Sequence, residues 1–218
     1  MKTVALVLKE GKEYNASIAL WLINQLPSDV HIDLFTDSKT LLRSAHLPFR
    51  VRTIPLTYNY DGWWSKMELF APGTITSPTL YMDLDTCVFN LPDKYWQGGG
   101  SVVLDDFFFP HKAASGLMLI HPDDTKQVWD EWIKQPSEWM KMYKAEGDQG
   151  FIGSHLRRPG RWQRRFPKEI ISYKAQLKEG HKFYDPSKGS LDTANIVCFH
   201  GQPRPWNTEE TWLPPRIT

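Results

Sequence analysis

The sequence predicts an α/β fold in which helices flank a mostly parallel central sheet. Three observations predict it: short apolar runs of strand length, stretches with helical spacing between those runs, and a pair of acidic residues directly after one of them. Strands that alternate with helices from the amino terminus are typical of doubly wound parallel sheets. The 218 residues are 41% hydrophobic and 23% charged. That is enough for one sizeable core, so we expect a single domain over 1–218.

The front half of the chain carries four predicted strands. Residues 4–8 are a continuous apolar run, as expected for a strand buried on both faces. The helix after it ends at Pro27, and the second strand is followed by Asp37 and Ser38, which are helix-capping residue types. The strands are predicted at 4–8, 30–36, 51–56 and 79–82, and the helices at 18–26 and 64–70.

The pattern changes after residue 86. The segment 159–190 is rich in Pro, Gly, Lys and Arg and has little periodicity. In the rest of the back half, strands are predicted at 101–104, 117–120 and 196–199, and helices at 128–133 and 149–156.

The charge of the chain is small in total but unevenly distributed. A net charge of +1 argues against a general polyanion-binding protein. Between Leu156 and Lys168, however, there are five Arg and one Lys and no acidic residue. This basic stretch is either a solvated loop or an acceptor site for an anionic polymer, since Arg interleaved with aromatic residues suits phosphates and stacked bases. The residues of the second interpretation are Arg157, Arg158, Arg161, Trp162, Arg164 and Arg165.

The cysteine content and the hydropathy of the chain indicate the cellular compartment to expect. Cys87 and Cys198 are the only cysteines, which is too few for a disulfide framework and fits a reducing environment. The apolar stretch at the amino terminus is too short for a secretion signal. No run approaches the ~18 apolar residues that a membrane-spanning helix needs. We therefore expect a cytoplasmic protein with no membrane span.

The segment 80–86, Leu-Tyr-Met-Asp-Leu-Asp-Thr, is the most informative motif. Asp83 and Asp85 are separated by one residue where a strand gives way to a loop, so both side chains can point the same way. Two carboxylates in that arrangement form a site for Mn²⁺ or Mg²⁺, which prefer oxygen ligands and commonly neutralise phosphate. The alternative is a pair that caps a helix or is merely solvated.

Three segments in the same order resemble one family. They are 81–85 with its Asp-x-Asp, the Asp148-Gln149 pair, and the run 198–206, Cys-Phe-His-Gly-Gln-Pro-Arg-Pro-Trp. Together they resemble the GT-A glycosyltransferases, particularly the retaining branch that includes glycogenin and the bacterial lipopolysaccharide galactosyltransferases. The chain departs from that pattern at His200, which lies directly before Gly201, at Arg204, where the family has Lys, and at Ala114, where it has Asn.

The resemblance implies a fold, a reaction and a set of site residues. The fold is a single GT-A (Rossmann-like) domain, with a donor-binding half over about 1–100 and an acceptor-binding half over about 101–218. The reaction is metal-dependent transfer of a hexose from a nucleotide-diphosphate sugar to a hydroxyl group, with retention of configuration. A UDP-hexose is the first candidate for the donor. Mn²⁺ or Mg²⁺ is expected on Asp83, Asp85 and His200. The implied donor-binding residues are Tyr14, Lys66, Asp83, Leu84, Gly201 and Arg204.

The resemblance also implies catalytic and sugar-binding residues. Asp148 and Gln149 are expected beneath the donor sugar, and Asp105 and Asp106 are expected to contact sugar hydroxyls. Plainer alternatives exist for two of the site residues. Lys66 has the alternative of an ordinary helix-surface lysine, and Asp148 that of a helix N-cap.

Two functions of other classes also fit the residues. Asp83-Leu84-Asp85-Thr86 satisfies the Asp-x-Asp-x-Thr motif of haloacid-dehalogenase-type phosphatases, although three predicted strands precede it here and that motif normally ends the first. The other function is a non-catalytic nucleotide-sugar-binding module. For the transferase, the acceptor is expected to be a glycan or small molecule, with a hydroxymethylated base of DNA or RNA as the alternative.

Overall fold

The computed structural model describes residues 1–215, which form two β-sheets with helices packed against them. The strands are β1 Thr3–Leu8, β2 His31–Thr36, β3 Val51–Pro55, β4 Thr79–Met82, β5 Thr86–Val88, β6 Val102–Asp105, β7 Ala113–Ile120, β8 Gly160–Arg161, β9 Ile170–Ser172 and β10 Ile196–Cys198. The α-helices are α1 Ala16–Ile23, α2 Lys39–Leu42, α3 Pro122–Trp132, α4 Pro136–Met142, α5 Asp148–His155 and α6 Trp162–Arg165. Short 3₁₀-helices lie at Gly62–Phe70, Asp93–Trp96, Pro186–Lys188 and Pro205–Asn207, and one turn of π-helix lies at Tyr173–Leu177.

The larger sheet has seven strands in the order β3-β2-β1-β4-β7-β6-β8. The first four run parallel, β7 is antiparallel to both of its neighbours, and β8 is parallel to β6. This confirms the expected mostly parallel α/β sheet. The continuous apolar sequence of β1 has the expected cause, since Val4, Ala5 and Leu6 are fully buried in the middle of the sheet.

The front half follows the sequence pattern more closely than the back half. Strand β4 has the predicted bounds. Strand β7 begins at Ala113, four residues earlier than predicted, because its first half consists of small residues that give no apolar signal. A shift in the β6–β7 register between Val103 and Leu104 accommodates that part of the strand. Helix α4 was not predicted at all.

The segment 159–190, which has little periodicity in sequence, is partly built of short regular elements. The segment contains β8, α6, β9 and the π-turn, each too short to show a period in sequence. Trp162 is fully buried and donates its Nε1–H to the carbonyl of Leu117 at 3.2 Å, with its ring 5.4 Å from that of Tyr95. Trp162 is therefore a core residue and is not available to stack on a nucleic-acid base, which corrects its place in the predicted acceptor site.

The smaller sheet has three strands in the order β5-β10-β9. Strand β10 is antiparallel to β5 and parallel to β9, so that Cys198 lies opposite Thr86 on one side and Ser172 on the other. Consequently, the chain enters β5 and leaves β9 and β10 at the same edge of this sheet. Cys87 and Cys198 are buried free thiols within this sheet.

No helix between residues 1 and 215 combines the length and the apolar composition needed to cross a membrane.

Candidate active site

The acidic pair lies between the two sheets, at the carboxyl end of β4. The backbone N–H of Asp83 donates to the carbonyl of Gly116 on β7 at 2.8 Å, and Asp85 lies in the turn that leads into β5. The Asp85 side chain is almost fully buried, and its backbone carbonyl accepts from Phe199 at 3.1 Å. Leu84, between them, is buried in the core. The turn, rather than continued strand alternation, brings the two carboxylates together.

Lys66 joins the acidic pair to the second predicted acidic residue. Its Nζ lies 3.0 Å from Oδ1 of Asp83 and 2.8 Å from Oδ2 of Asp148, and it donates to Oγ of Ser115 at 3.1 Å. The Lys66 side chain is 5% exposed, so the helix-surface alternative is wrong. Burial by itself lowers the pKa of Lys66, but the carboxylates of Asp148 and Asp83 outweigh burial and raise it. Lys66 is therefore a permanent cation between two acids.

Asp148 opens α5, and the residue in the N-cap position is Gly147, so the N-cap alternative for Asp148 is also wrong. Its Oδ2 accepts from Lys66 and from the Ser115 hydroxyl, the latter at 2.6 Å. Gln149, the next residue, faces elsewhere and lines a cavity of about 380 Å³. The structure therefore separates the environments of the two predicted catalytic residues.

Three residues of the acidic network were given no role from the sequence, although two of them, Ser115 and Gly116, directly follow Ala114 in a segment that resembles the family. The Tyr81 hydroxyl donates to Oδ1 of Asp83 at 2.5 Å. Ser115 bridges Lys66 and Asp148, as described above. Gly116 allows the Asp83 carboxylate to lie close to β7, since a Cβ there would be 3.2 Å from its Oδ2. Alternation along β4 places Tyr81 and Asp83 on the same side, and this spacing was the available signal for the tyrosine.

Arg204 reaches the acidic pair from the loop after β10. Its guanidinium forms an ion pair with Asp85 and a second one with Glu13 at 3.3 Å. It lies 5.2 Å from the ring centroid of Tyr14, whose other neighbour is the ring of Trp206 at 5.4 Å. The structure thus places two predicted donor-binding residues, Tyr14 and Arg204, next to the predicted metal ligands.

Asp85 is a buried carboxylate with a second carboxylate, Asp83, beside it. Burial raises the pKa of Asp85 to about 7, the neighbouring Asp83 adds to the rise, and Arg204 opposes it. A divalent cation would relieve this repulsion. Two carboxylates supplemented by substrate phosphate oxygens and water are an ordinary Mg²⁺ or Mn²⁺ donor set, so these residues fit the predicted metal.

His200 does not complete a three-residue metal site in this conformation. Its Nε2 lies 2.6 Å from Oγ of Ser172, and its ring stacks on Phe107 at 5.4 Å. Nowhere in residues 1–215 do three His, Cys, Asp or Glu side chains come together as a metal-binding group. Burial, with Lys174 and other nearby cations, lowers the pKa of His200 to about 3, so the imidazole is neutral. Its role as third metal ligand stays a prediction.

The remaining predicted residues lie around β6. Asp105 forms ion pairs with Arg161 at 3.2 Å and Arg164 at 3.1 Å. Asp106 accepts from the backbone N–H groups of Phe108 and Phe109, and it lines the same cavity as Gln149. The carboxylate of Asp105 is thus already engaged, whereas Asp106 faces a cavity.

Three arginines of the basic stretch form ion pairs or hydrogen bonds with other groups of the protein. Arg161 and Arg164 bind Asp105, and Arg165 donates to the carbonyl of Gln97 at 2.6 Å. Arg157 and Arg158 are exposed. Gly201, from the predicted donor loop, is exposed and has φ +71°, a conformation that favours glycine.

Solved glycosyltransferase structures share this fold. An active-site mutant of LgtC has a TM-score of 0.65 and 14% identity, with 96% of this chain and 91% of LgtC covered. The galactosyltransferase LgtC in complex with donor and acceptor sugar analogues has a TM-score of 0.64 and 15% identity, with 95% and 90% covered. The glycosyltransferase GlyE of Streptococcus pneumoniae TIGR4 has a TM-score of 0.62 and 17% identity, with 95% of this chain but 57% of GlyE covered.

The comparisons at the level of sequence find no counterpart. No family model matches the chain, and no curated protein matches it significantly. Because the identities to the solved structures are between 14% and 17%, the likeness shows the fold. The chain has the GT-A fold that the motifs imply.

A substitution of Lys66 tests the buried ion-pair network. Lys66→Met keeps the length of the side chain but leaves Asp83 and Asp148 without their cation, so we expect the free energy of unfolding to fall by about 3–5 kcal/mol. Lys126→Met, at an exposed lysine that pairs with Asp130, is the matched control and should cost less than about 1 kcal/mol. Urea denaturation measures both. Equal stability of Lys66→Met and wild type would show that the network is not formed.

The neutral His200 predicts a pH dependence of stability. Below about pH 6.5 the unfolded chain protonates this histidine while the folded protein does not, so unfolding is favoured as pH falls toward the folded pKa of about 3. Each unit of pH in that window costs about 1.4 kcal/mol. Asp85 acts in the opposite direction between its ordinary pKa and about 7, but its effect is common to both proteins when wild type is compared with His200→Gln.

Urea denaturation of the two proteins between pH 7 and pH 4.5 measures this difference. Wild type should lose stability relative to His200→Gln as the pH falls. Parallel stability curves would mean that His200 is protonated as easily in the folded protein as in the unfolded chain.

Proposed function

We propose that this protein is a metal-dependent glycosyltransferase that moves a hexose from a nucleotide-diphosphate sugar to a hydroxyl acceptor with retention of configuration. The observation that carries the proposal is the joining of Asp83, Asp85, Lys66 and Asp148 at the carboxyl end of a central strand. That edge of an α/β sheet is where such folds bind ligands. The GT-A fold shared with LgtC, a galactosyltransferase seen with donor and acceptor sugar analogues, supports the choice of substrate class.

The metal belongs to the acidic pair in this proposal. Asp83 and Asp85 would hold Mn²⁺ or Mg²⁺, with His200 as a third ligand if it leaves Ser172. When bound, the ion supplies positive charge that neutralises the diphosphate leaving group. Arg204, which lies against Asp85, supplies a fixed positive charge to the same group.

The reaction breaks the bond between the anomeric carbon and the β-phosphate oxygen, and the bonding electrons stay on the phosphate. A new bond forms from the acceptor hydroxyl oxygen to the anomeric carbon, and the hydroxyl proton passes to the departing diphosphate. The sugar is oxocarbenium-like between these events, so a nearby anion stabilises it. Asp148 suits that role because its carboxylate is held at the site by the Lys66 ammonium, 2.8 Å from its Oδ2.

Asp148 suits charge stabilisation better than nucleophilic attack. Its Oδ2 accepts from both Lys66 and Ser115, which ties down one of its two oxygens and lowers its reactivity. Gln149 and Asp106 share the neighbouring cavity and would contact sugar hydroxyls there. Tyr14, next to Arg204, would pack on the nucleotide base, with UDP as the first candidate.

The acceptor is proposed to be a glycan or small molecule. Arg161 and Arg164 pair with Asp105, and the buried Trp162 cannot stack on a base, so the pattern of Arg interleaved with an exposed Trp that favoured a nucleic-acid acceptor is not present on the surface. The GT-A fold gives no support to the phosphatase alternative. Buried free thiols at Cys87 and Cys198 fit the proposed cytoplasmic setting.

Substitution of the acidic pair tests the proposal. Asp83→Asn and Asp85→Asn remove metal-binding charge, so turnover should fall by about a hundredfold or more while the fold is retained. Asp130→Asn, at an exposed carboxylate, is the control and should retain wild-type turnover. The measurement is diphosphate released from a panel of nucleotide sugars with Mn²⁺, with and without acceptors.

The same panel separates the alternatives. Wild-type rates in either variant, or full activity in EDTA, would contradict the metal-dependent mechanism. Phosphate released from p-nitrophenyl phosphate would favour the phosphatase. Binding of a nucleotide sugar without any hydrolysis or transfer would favour the non-catalytic module.

A further inference from the structure

The edge of the smaller sheet brings a second cation to the candidate site. Because β9 and β10 are parallel, with Ser172 opposite Cys198, the residues that follow both strands emerge side by side. Lys174 follows β9, and the loop from His200 to Arg204 follows β10. This lysine lies in the π-turn, within the segment that has little periodicity in sequence.

Lys174 is a buried lysine whose ammonium is mostly unsatisfied. The residue is 9% exposed, and its Nζ donates to the backbone carbonyl of His200 at 2.5 Å. An ammonium has three N–H donors, and within residues 1–215 this carbonyl is the sole hydrogen-bond acceptor. No ion pair with a carboxylate is formed by Lys174 in that range. Lys66, the other buried lysine of the site, has two.

The surroundings of Lys174 are positive. Burial lowers its pKa, and Arg204 and Lys178 lower it further, while Asp85 gives weaker compensation. Arg204 itself is engaged by Asp85 and Glu13. Buried lysines are normally paired, because an isolated ammonium away from water is costly. Lys174 therefore has N–H donors free to bind an anion that the chain does not supply.

The position of the ammonium identifies the kind of anion. Nζ lies next to Gly201, where an added Cβ would be 3.2 Å away, so the glycine leaves the ammonium uncovered on that side. The same loop carries Arg204, three residues on. Two cations from separate strands that flank one Gly-containing turn suit a ligand with several anionic oxygens, such as a diphosphate.

We propose that Lys174 binds a phosphate oxygen of the nucleoside diphosphate and acts with Arg204 as a second cation on the leaving group. The inference rests on the proposed function. When the bond from the anomeric carbon to the phosphate oxygen breaks, the electron pair and its negative charge move onto the diphosphate, toward these two cations. No sequence motif marks Lys174, because its place in the site follows from the β9–β10 pairing.

Binding measurements on three variants test this inference. Lys174→Met keeps the stem and removes the charge, Lys174→Arg keeps the charge, and Lys188→Met is the matched control, since Lys188 is an exposed lysine of the same segment paired with Asp185. Isothermal titration with UDP, inorganic pyrophosphate and uridine, each with Mn²⁺, gives the affinities. Pyrophosphate makes the test independent of the base.

The expected result is specific for phosphate. Lys174→Met should weaken UDP and pyrophosphate binding by about tenfold to a hundredfold, the size of one charge-assisted hydrogen bond, and leave uridine binding unchanged. Lys174→Arg should bind both within a few-fold of wild type, and Lys188→Met should match wild type. If Lys174→Met does not fold, Lys174→Gln, which can still donate to the His200 carbonyl, replaces it.

Two results would overturn the inference and leave the proposed function standing. One is unchanged UDP and pyrophosphate affinity in Lys174→Met. The other is an equal loss of UDP and uridine binding, which would mean that Lys174 only holds the loop in place. If wild type bound neither pyrophosphate nor any of the four nucleotides UDP, GDP, CDP and ADP, the proposed function would be overturned as well.

Discussion

The ion pair of Lys66 with Asp83 and Asp148 is the interaction on which the rest of the site depends. It links the 3₁₀-helix Gly62–Phe70 to the end of β4 and the start of α5, and Ser115 adds β7 to the same network. A buried ammonium between two carboxylates is stable only where the geometry is good and the remaining hydrogen bonds are made. Here four separate elements supply that geometry, so the acids are held in place before any substrate arrives.

The site contains two groups of like charges, one negative and one positive. At the acidic pair, burial raises the pKa of Asp85 and repulsion from Asp83 adds to the rise. In the neighbouring loop, Lys174 has no carboxylate partner among the described residues and lies near the cations Arg204 and Lys178. A divalent cation bound to a diphosphate would compensate both sets of charges, because the cation would bind the two carboxylates and the phosphates would bind Lys174 and Arg204. This complementarity is the physical reason to prefer a nucleotide-diphosphate donor over a simple metal-binding role.

Sequence reasoning succeeded where one residue pattern determines one local structure. Strand β4 and its Asp-x-Asp were predicted at their observed positions because a short apolar run ends abruptly in charge. It failed where contacts between distant segments of the chain determine the environment of a residue. Nothing local marks Lys174 as part of the site, and Trp162 looked like an exposed stacking residue because it stands among arginines, although it fills the core. Lys66 was singled out only through the family resemblance, since its burial is not visible in sequence, and its contact with the donor stays a prediction.

A crystal soaked with Mn²⁺ and UDP tests the central claim most directly. Anomalous diffraction locates the manganese without reference to any assumed ligand. The account predicts a peak within coordination distance of both Asp83 and Asp85 and of the diphosphate oxygens. A well-ordered UDP with no anomalous density beside those two carboxylates would contradict it.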